Sequence, residues 1–263
     1  RILNGITHPD TGHVSADGKP LSNEVIKRIG YLPEERGLYP RMSIQRQLMY
    51  LARLKGMKKN DANAAIDKWL TTFDLQDWRK KRIEQLSKGM AQKVQFIATV
   101  IHEPDILIMD EPFSGFDPIN TQLIRDQLMQ FKEEGKTILL STHNMNSVES
   151  ICEDIALIHQ GEVVLQGELQ TIQNEYRSGL YEIEFFGNII GFTNALWAGF
   201  ELIDRTQITN NHFTARVRML NDNSINNLLK TVIEDVKIQG IREVIPGMED
   251  IFIETVQKDP ADA

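Results

Sequence analysis

The sequence predicts an α/β protein with a mostly parallel sheet, an inserted helical subdomain and a small C-terminal α+β domain. Residues 106–109 (Ile-Leu-Ile-Met) and 137–141 (Thr-Ile-Leu-Leu-Ser) are mostly apolar runs of strand length, a composition typical of strands buried on both faces of a parallel sheet. Residues 121–134 have a helical pattern between the two runs. A strand, a helix and a strand with short connections form the βαβ unit, which predicts a parallel sheet.

The N-terminal part of the chain adds further elements to this unit. Residues 1–6 have the apolar spacing of the last turns of a helix, and a strand is predicted at residues 13–16. A short strand at residues 29–33 ends at a proline and leads into a charged, turn-rich loop at residues 34–40. From about residue 43 to 90 the apolar residues recur at helical spacing, which predicts the helical subdomain.

The C-terminal part of the chain has a different pattern of apolar and polar residues. Residues 155–166 predict a hairpin that turns at Gln160-Gly161. Further on, polar and apolar residues alternate in shorter strands, such as 181–185 and 212–217, with a helix around 224–232. The predicted divisions are a first domain at 1–177, an accessory α+β domain at 178–257 and a frayed tail at 258–263.

Composition excludes several classes of protein. The 263 residues include 41% hydrophobic and 25% charged positions, a balance typical of a soluble globular protein. Every apolar run is much shorter than a membrane span, so a membrane role is expected only through a partner. The net charge is −8 and the basic run 79–82 is a single turn, so we expect no nucleic-acid ligand. Cys152 is the single cysteine, which suits the cytosol and predicts core packing.

Two consecutive carboxylates, Asp110 and Glu111, follow the first apolar strand. Open α/β sheets bind ligands at the carboxyl ends of their strands, so both side chains are expected at a binding edge. Asp110 is the candidate Mg²⁺ ligand, because that ion prefers oxygen ligands and bridges phosphates while it keeps several waters. Glu111 is the candidate group that orients or deprotonates an attacking water. The alternative is that two acids simply end a strand, and the pair alone leaves both interpretations open.

Three further runs accompany this pair in a fixed order. Leu86-Ser-Lys-Gly-Met90 precedes it, Ser114-Gly-Phe-Asp-Pro118 follows it, and Ser141-Thr-His143 closes the next strand. The set resembles the ABC ATPase family, with a signature motif, a Walker B strand, a D-loop and a switch histidine at the expected separations. The resemblance covers residues 1 to about 177 and implies a P-loop NTPase-like sheet. The run Pro-Gly-Met-Glu-Asp-Ile-Phe-Ile-Glu near the C-terminus is similar to the end of many bacterial export-type subunits.

The resemblance implies that the signature run opens a helix, whose free N–H groups and positive dipole end bind the γ-phosphate of ATP held by the opposite subunit. The residues that would form this binding surface are Ser87, Lys88, Gly89 and Met90. Asp117 would link the two sites across the interface, so two chains must meet head to tail. Lys88 and Met90 stand where the family usually has glycine and glutamine. Lys88 could add a positive charge beside the phosphate, and Met90 is expected to pack.

Two more residues receive roles from the resemblance. His143 would contact the γ-phosphate and stabilise the transition state, and Glu34 would stand where the family has a glutamine that coordinates Mg²⁺ and senses the membrane partner. From the residues alone, His143 could equally be structural and Glu34 a solvated loop acid.

The family's phosphate cradle is a Gly-rich loop that ends in Gly-Lys-Ser/Thr. The resemblance places this loop, known as Walker A, together with its strand immediately before Arg1, and the 263 residues contain no such Gly-rich run. Without the N–H groups and the lysine of that loop, most of the affinity for the β- and γ-phosphates is missing. We therefore expect the chain by itself to bind ATP poorly and to be nearly inactive as an ATPase.

The resemblance as a whole implies the ATP-hydrolysing subunit of an ABC transporter, with ATP and Mg²⁺ as ligands. A membrane permease and a second ATPase subunit are the implied partners, and the permease would hold the subunit at the cytoplasmic face of the membrane. The loop 34–40 and the helical subdomain would dock the permease, and this loop together with the C-terminal domain is typical of bacterial exporters. Two alternatives stay open, a soluble ABC-type ATPase in translation or DNA repair and a non-catalytic fragment.

Overall fold

The computed structural model describes residues 1–35, 37–196, 199–221 and 223–257. The chain divides into two compact units, residues 1–143 and 144–263, and each is described by itself below. The domain boundary that the sequence predicts at 177/178 rests on a change of composition and stays a prediction. The predicted tail, 258–263, lies outside the described residues.

The first unit alternates strands and helices in chain order. Its elements are β1 (Ser15–Ala16), β2 (Lys19–Pro20), α1 (Asn23–Lys27), β3 (Ile29–Leu32), α2 (Ile44–Leu54), α3 (Lys59–Thr72), α4 (Lys88–Val100), β4 (Ile106–Asp110), α5 (Pro118–Glu133) and β5 (Thr137–Ser141), with 3₁₀ turns at Ile2–Asn4, Gln76–Trp78 and Ile83–Gln85. The strand predicted at 13–16 is shorter than expected. It turns back at once through Asp17 and Gly18, both in the left-handed region with φ of 51° and 70°, and pairs with β2.

The parallel sheet of the first unit has the strand order β3-β4-β5, with α5 as the crossover from β4 to β5. Leu107 and Met109 of β4 are buried, whereas Ile108 on the opposite face is half-buried and Leu139 of β5 is 48% exposed. The expectation of burial on both faces therefore holds for one face only. The core formed with α2 to α5 covers the face that carries Leu107 and Met109.

The helical segment forms because its apolar stripes meet and its helix starts are capped. Ser43 caps α2, where its Oγ accepts the N–H of Arg46. Trp69 of α3 and Phe73, which directly follows α3, pack against Phe96 of α4, with ring centroids 6.5 Å and 5.5 Å from that ring. The predicted helices are confirmed as α2 and α3.

The second unit begins with a helix and a hairpin and continues into an antiparallel sheet. Its elements are α6 (Met145–Ile151), β6 (Asp154–His159), β7 (Glu162–Glu168), α7 (Leu169–Glu175), β8 (Leu180–Gly187), α8 (Ile189–Ala195), β9 (Phe200–Thr209), β10 (His212–Met219), α9 (Ile225–Val232), β11 (Val236–Glu243) and α10 (Met248–Gln257). The predicted hairpin is confirmed, since Gln160 and Gly161 both have positive φ, 50° and 88°, as a two-residue hairpin turn requires. Cys152 is half-buried rather than part of a core, because it follows the last turn of α6.

The last four strands and two helices form a βαββαβ arrangement with the strand order β11-β8-β10-β9. Its core is apolar and aromatic, with Phe185 stacked on Phe192 and Phe213 at centroid distances of 4.2 Å and 5.8 Å. The α+β prediction is thus confirmed, including β8, β10 and α9. The sequence analysis missed β9 and β11, where irregular registers break the alternation of apolar residues.

Candidate functional site

The carboxyl ends of β4 and β5 bring the predicted acids and the predicted histidine together. In the parallel register Asp110 lies opposite Ser141, whose Oγ donates a hydrogen bond of 2.5 Å to Asp110 Oδ1. The backbone N–H of Glu111 donates to the carbonyl of Ser141 over 2.9 Å, so the ladder continues one residue beyond β4. Both carboxylates are therefore held at the edge where open α/β sheets bind ligands.

Glu111 is the most constrained of these residues. Its φ of 47° lies in the left-handed region, which is unusual for a residue other than glycine and occurs often at functional sites. Its Oε1 accepts the backbone N–H of His143 over 2.9 Å and contacts His143 Nδ1 over 2.6 Å, while its Oε2 accepts the hydroxyl of Thr142 over 3.2 Å. The Glu111 side chain is 18% exposed and that of His143 is 88% exposed. The imidazole thus projects from the edge while the carboxylate is held beneath it.

The signature run begins α4 as predicted. Ser87 caps the helix, and its Oγ accepts the N–H of Met90 over 3.3 Å. Met90 packs against the core as expected. The Lys88 side chain lies directly against Gly115. A Cβ atom added to that glycine would be only 2.8 Å from Lys88 Cε.

The start of α4 is joined to the loop after β4 by a second contact, since Gln92 Nε2 donates to the carbonyl of Ser114. This loop ends at Asp117, which caps α5 and accepts the N–H of Asn120 over 2.9 Å. The hydrogen bonds from the backbone and the side-chain amide of Asn120 lower the pKa of Asp117 below its ordinary value. Capping gives Asp117 a structural task within its own chain, and its role across an interface stays a prediction.

Glu34 lies beyond the carboxyl end of β3, the strand next to β4. Leu32 is opposite Met109 in the register, so the chain reaches Glu34 at the same edge as Asp110. The buried Gln95 of α4 holds the loop, donating through Nε2 to the carbonyls of Pro33 over 2.8 Å and Glu35 over 3.3 Å. Glu34 itself is exposed. Arg36, which belongs to the predicted docking loop, lies outside the described residues.

Three residues at this edge were not singled out from the sequence: Ser141, Thr142 and Gln95. The first two stand beside His143 in the chain, and the parallel register pairs them with Asp110 and Glu111. The sequence does show two hydroxyl residues directly after an apolar strand. Which side chains these hydroxyls contact depends on the neighbouring strand, and spacing along the chain does not determine that neighbour.

A Gly-Lys-Thr tripeptide occurs once, at residues 135–137, and does not form a phosphate cradle. Gln130 stands where the Gly-rich loop requires its first glycine, and the tripeptide precedes a strand instead of following one. Lys136 Nζ donates to the carbonyl of Pro104 over 3.0 Å and lies 5.6 Å from the ring centroid of Phe131. This lysine is therefore engaged in packing α5 and β5 together.

The oxygen atoms at the strand ends fit a Mg²⁺ ion that also binds substrate phosphates. Such an ion needs only one or two protein carboxylates, since phosphate oxygens and waters complete its shell. Asp110 and Glu34, at adjacent strand ends, could supply them. Within residues 1–35, 37–196, 199–221 and 223–257, no group of three or more His, Cys, Asp and Glu side chains could hold a metal ion without such help. No helix in these ranges has the length and apolar character needed to cross a membrane.

The parallel sheet and the acids at its carboxyl edge define an α/β protein with a candidate ligand site at the strand ends. The family model "ABC transporter" matches residues 1–114, and the model of the C-terminal domain of DrrA1-3-like ATP-binding proteins matches residues 167–256. The chain belongs to the family of ABC transporter ATP-binding proteins.

Individual relatives show how much of the chain the likeness covers. Identity is 44% to the ABC transporter ATP-binding protein YhaQ of Bacillus subtilis, over 67% of this chain and 59% of the relative, so this chain spans less than two thirds of that protein. It is also 44% to an ABC transporter ATP-binding protein of Alkalihalophilus pseudofirmus, over 70% and 69% of the two chains. A Nod factor export ATP-binding protein of Burkholderia thailandensis is 31% identical over 71% and 62%. The solved structure of an ATP-binding subunit of an ABC transporter superposes with a TM-score of 0.62 at 29% identity, over 66% of this chain and 74% of that one.

Proposed function

We propose that this chain is the catalytic part of a subunit that hydrolyses ATP to drive an ABC transporter. The observation that carries the proposal is the Glu111 carboxylate, which three donors from Thr142 and His143 orient at the strand edge beside Asp110. A general base must be positioned before its basicity matters, and this carboxylate is positioned by groups that the fold itself supplies.

Each residue of the edge would contribute a separate step to phosphoryl transfer, in which catalysis is mostly positioning and charge stabilisation. Glu111 Oε2 has a single hydroxyl contact, so it is the oxygen we assign to accept the proton of the attacking water. The exposed imidazole of His143 would bind the γ-phosphate and the charge that develops on it. Asp110 and Glu34 would hold Mg²⁺, which when bound neutralises phosphate charge.

A second chain would complete the site with its own signature helix. Ser87 and Gly89 stand at the N-terminus of the 13-residue α4, where free N–H groups favour an anion. Lys88 and Met90 flank this point, and Asp117 lies at the end of the loop that Lys88 covers. We therefore assign these residues to the face that meets the ATP of a second subunit, in a head-to-tail dimer.

The helical segment and the loop before it would dock the permease. Tyr39 and Tyr50 contact each other edge to face at 5.9 Å, yet they are 49% and 41% exposed, and Leu54 on the same helix as Tyr50 is 61% exposed. Exposed aromatic and apolar side chains of this kind suit a helix laid into a groove. The subunit would then lie at the cytoplasmic face of the membrane. The Nod factor export relative favours an exporter.

We further propose that the chain by itself binds ATP weakly. Its 263 residues contain no Gly-rich cradle. Losing several charge-assisted hydrogen bonds, worth roughly 1.5 to 3 kcal/mol each, weakens binding by on the order of a thousandfold or more.

Calorimetric titration of ATP and Mg²⁺ tests this part. The comparison is between the chain and a chimera in which the Gly-Lys-Ser/Thr loop segment of a close relative precedes residue 1. ATP binding and hydrolysis by the chimera, with neither by the present chain, would support the proposal. Binding by the present chain in the micromolar range would show that other residues supply the cradle.

Replacing Glu111 tests the catalytic assignment. In the active chimera, Glu111→Gln should preserve ATP binding and lower turnover by roughly 10²- to 10⁴-fold, the usual contribution of a positioned acid or base. Glu103→Gln is the matched control, because Glu103 also has a positive φ, 53°, and lies outside the strand edge. Turnover of the Glu111 variant within about twofold of the parent would exclude this residue as the base.

Cross-linking tests the docking surface. Photoreactive side chains at Tyr39 and Tyr50 should capture the cytoplasmic helix of a permease, whereas the same group at the exposed Glu133 on α5 should not. Changing Glu35 to lysine should uncouple transport and leave ATPase activity unchanged. Capture of no membrane protein from either tyrosine position would contradict the docking assignment.

A further inference from the structure

The sheet of the second unit has a long strand at one edge. β9 pairs with β10 on one side, and among the described residues no strand pairs with its other side. Eight of its ten residues are exposed, namely Glu201 and residues 203–209. Such an edge carries unpaired N–H and C=O groups and is a template for another strand.

Two isoleucines distinguish this edge from an ordinary protected one. The register between β9 and β10 skips Ile203 and Ile208, so each is a bulged residue, and they are 40% and 51% exposed. Bulges and charged side chains both help to protect an edge, lysine and proline most of all, and β9 has two bulges and three charges but neither lysine nor proline. The opposite edge strand, β11, carries an exposed lysine at position 237.

The charges of β9 are nearly neutralised within its own sheet. Arg218 of β10 pairs with Glu201 at 3.2 Å, and Arg216 pairs with Asp204 at 3.5 Å. Among the described residues, Arg205 has no ion-pair partner. A second copy of β9 would therefore meet little repulsion, provided that the two copies of Arg205 do not face each other.

We propose that β9 is an interface at which two copies of this chain pair in antiparallel fashion and join their sheets into one of eight strands. A two-fold axis perpendicular to the joined sheet requires opposed residues to lie on the same face. In a symmetric pair one residue lies opposite its own copy. If that residue were Arg205, the two arginines would face each other and repel. The register centred on Thr206 places Arg205 opposite Gln207 of the second copy and Thr206 opposite itself, and is the one we assign.

The test uses the full 263-residue chain without nucleotide, so its result is independent of the ATP-dependent dimer proposed above. Thr206→Cys in a Cys152→Ser background should form an intermolecular disulfide on mild oxidation, because opposed Cα atoms at about 4.5 to 5.5 Å fit disulfide geometry. Lys237→Cys, on the opposite edge strand, is the matched control and should remain monomeric under the same conditions. Equal cross-linking of both variants would contradict the assigned edge.

Sedimentation of the unmodified chain provides the second readout. At about 100 µM chain it should contain dimer, since an edge pair buries less than a standard interface of about 1,200 to 2,000 Å² and should be weak. Gln207→Lys should raise the dimer dissociation constant at least about tenfold, because the assigned register sets this lysine against Arg205 of the second copy. Ile233→Lys, at an isoleucine 63% exposed outside the sheet, should leave it unchanged.

Two further outcomes would overturn the proposal. One is a monomer at this concentration with β9 amides protected from exchange, which would mean that the chain covers its own edge. The other is a dimer abolished by Leu139→Lys and unaffected by Gln207→Lys, which would place the contact on β5.

Discussion

Two glutamate–histidine pairs in this chain have nearly the same geometry and different surroundings. Glu111 and His143 are 2.6 Å apart at the ends of two parallel strands, and the imidazole is 88% exposed. Glu184 and His212 are 2.7 Å apart across two antiparallel strands, where the histidine is 15% exposed and its ring stacks on Phe186 at 4.1 Å. A pair at strand ends can reach a ligand, whereas a pair lying flat on a sheet stabilises its neighbours.

The same contrast extends to the charges around each pair. On the antiparallel sheet a row of alternating charges, Arg242, Glu182, Arg216 and Asp204, crosses all four strands and each charge has a partner. At the strand ends of the first unit, Asp110 and Glu111 accept hydrogen bonds from hydroxyl, amide and imidazole groups, and no lysine or arginine is paired with them among the described residues. The two clusters therefore differ in how their charge is balanced, by arginine side chains on the antiparallel sheet and by neutral donors and an imidazole at the strand ends.

The largest expected effect separates the two histidines. His143→Ala in the active chimera should lower ATP turnover by roughly 10²- to 10⁴-fold, because it removes the group proposed to bind the transferred phosphate. His212→Ala should change turnover less than about twofold and act on the stability of the second unit instead. Steady-state kinetics of both variants measures the difference, and similar losses of turnover in both would remove the distinction drawn between the pairs.

A pair of core substitutions tests whether the two units are separate in stability. Phe185→Ala and Phe96→Ala each remove a ring that is fully buried in its own unit and should each cost about 3 to 5 kcal/mol of unfolding free energy. Hydrogen exchange should show lost protection mainly in β8 to β11 for the first variant and mainly in α3, α4 and β4 for the second. Uniform loss along the chain in either variant would show that the units unfold as one.

A third histidine, His102, belongs to neither pair and should make the free energy of unfolding depend on pH. Burial lowers its pKa to about 4, assisted by the charge of Lys55, although its Nε2 contacts the carbonyl of Ile29 at 3.2 Å. In the unfolded chain this histidine has an ordinary pKa near 6.5 and binds the proton more readily. Its contribution to the free energy of unfolding is therefore fully present above about pH 6.5 and is lost as the pH falls toward 4.

The loss from this histidine should be about 2 to 3 kcal/mol. Urea unfolding of the chain and of His102→Gln across this pH range measures it, because carboxylates titrate in both proteins and only the parent carries the additional slope. Identical pH profiles would contradict the assignment of the buried neutral imidazole.

The smallest expected effect concerns Thr142, a positioning residue for Glu111. Thr142→Val should lower kcat by about tenfold and leave the KM for ATP unchanged, because one hydrogen bond of about 1 to 1.5 kcal/mol to the base is lost. Thr142→Ser should restore kcat, and Thr137→Val at the other end of β5 is the control. A rise in KM without a change in kcat would indicate a binding role instead.

Local sequence was sufficient to predict what depends on near neighbours along the chain. Ser87 and Ser43 start helices because a hydroxyl side chain accepts an N–H three residues on, and the hairpin turns at Gln160-Gly161 because glycine tolerates positive φ. The order of apolar strands and helices predicted the parallel sheet, and the acids after β4 were predicted at its carboxyl edge. In each case the physical cause lies within a few residues.

Other features arise only when distant segments lie side by side. The hydroxyls of Ser141 and Thr142 donate hydrogen bonds to Asp110 and Glu111, each 31 residues away in the sequence. Gln95 donates to the carbonyls on either side of Glu34, about 60 residues away in the sequence. Periodicity predicts that a strand exists, but the register with its neighbour determines which hydroxyl meets which carboxylate. The same holds for the free edge of β9, because the position of a strand in a sheet depends on how all the strands assemble.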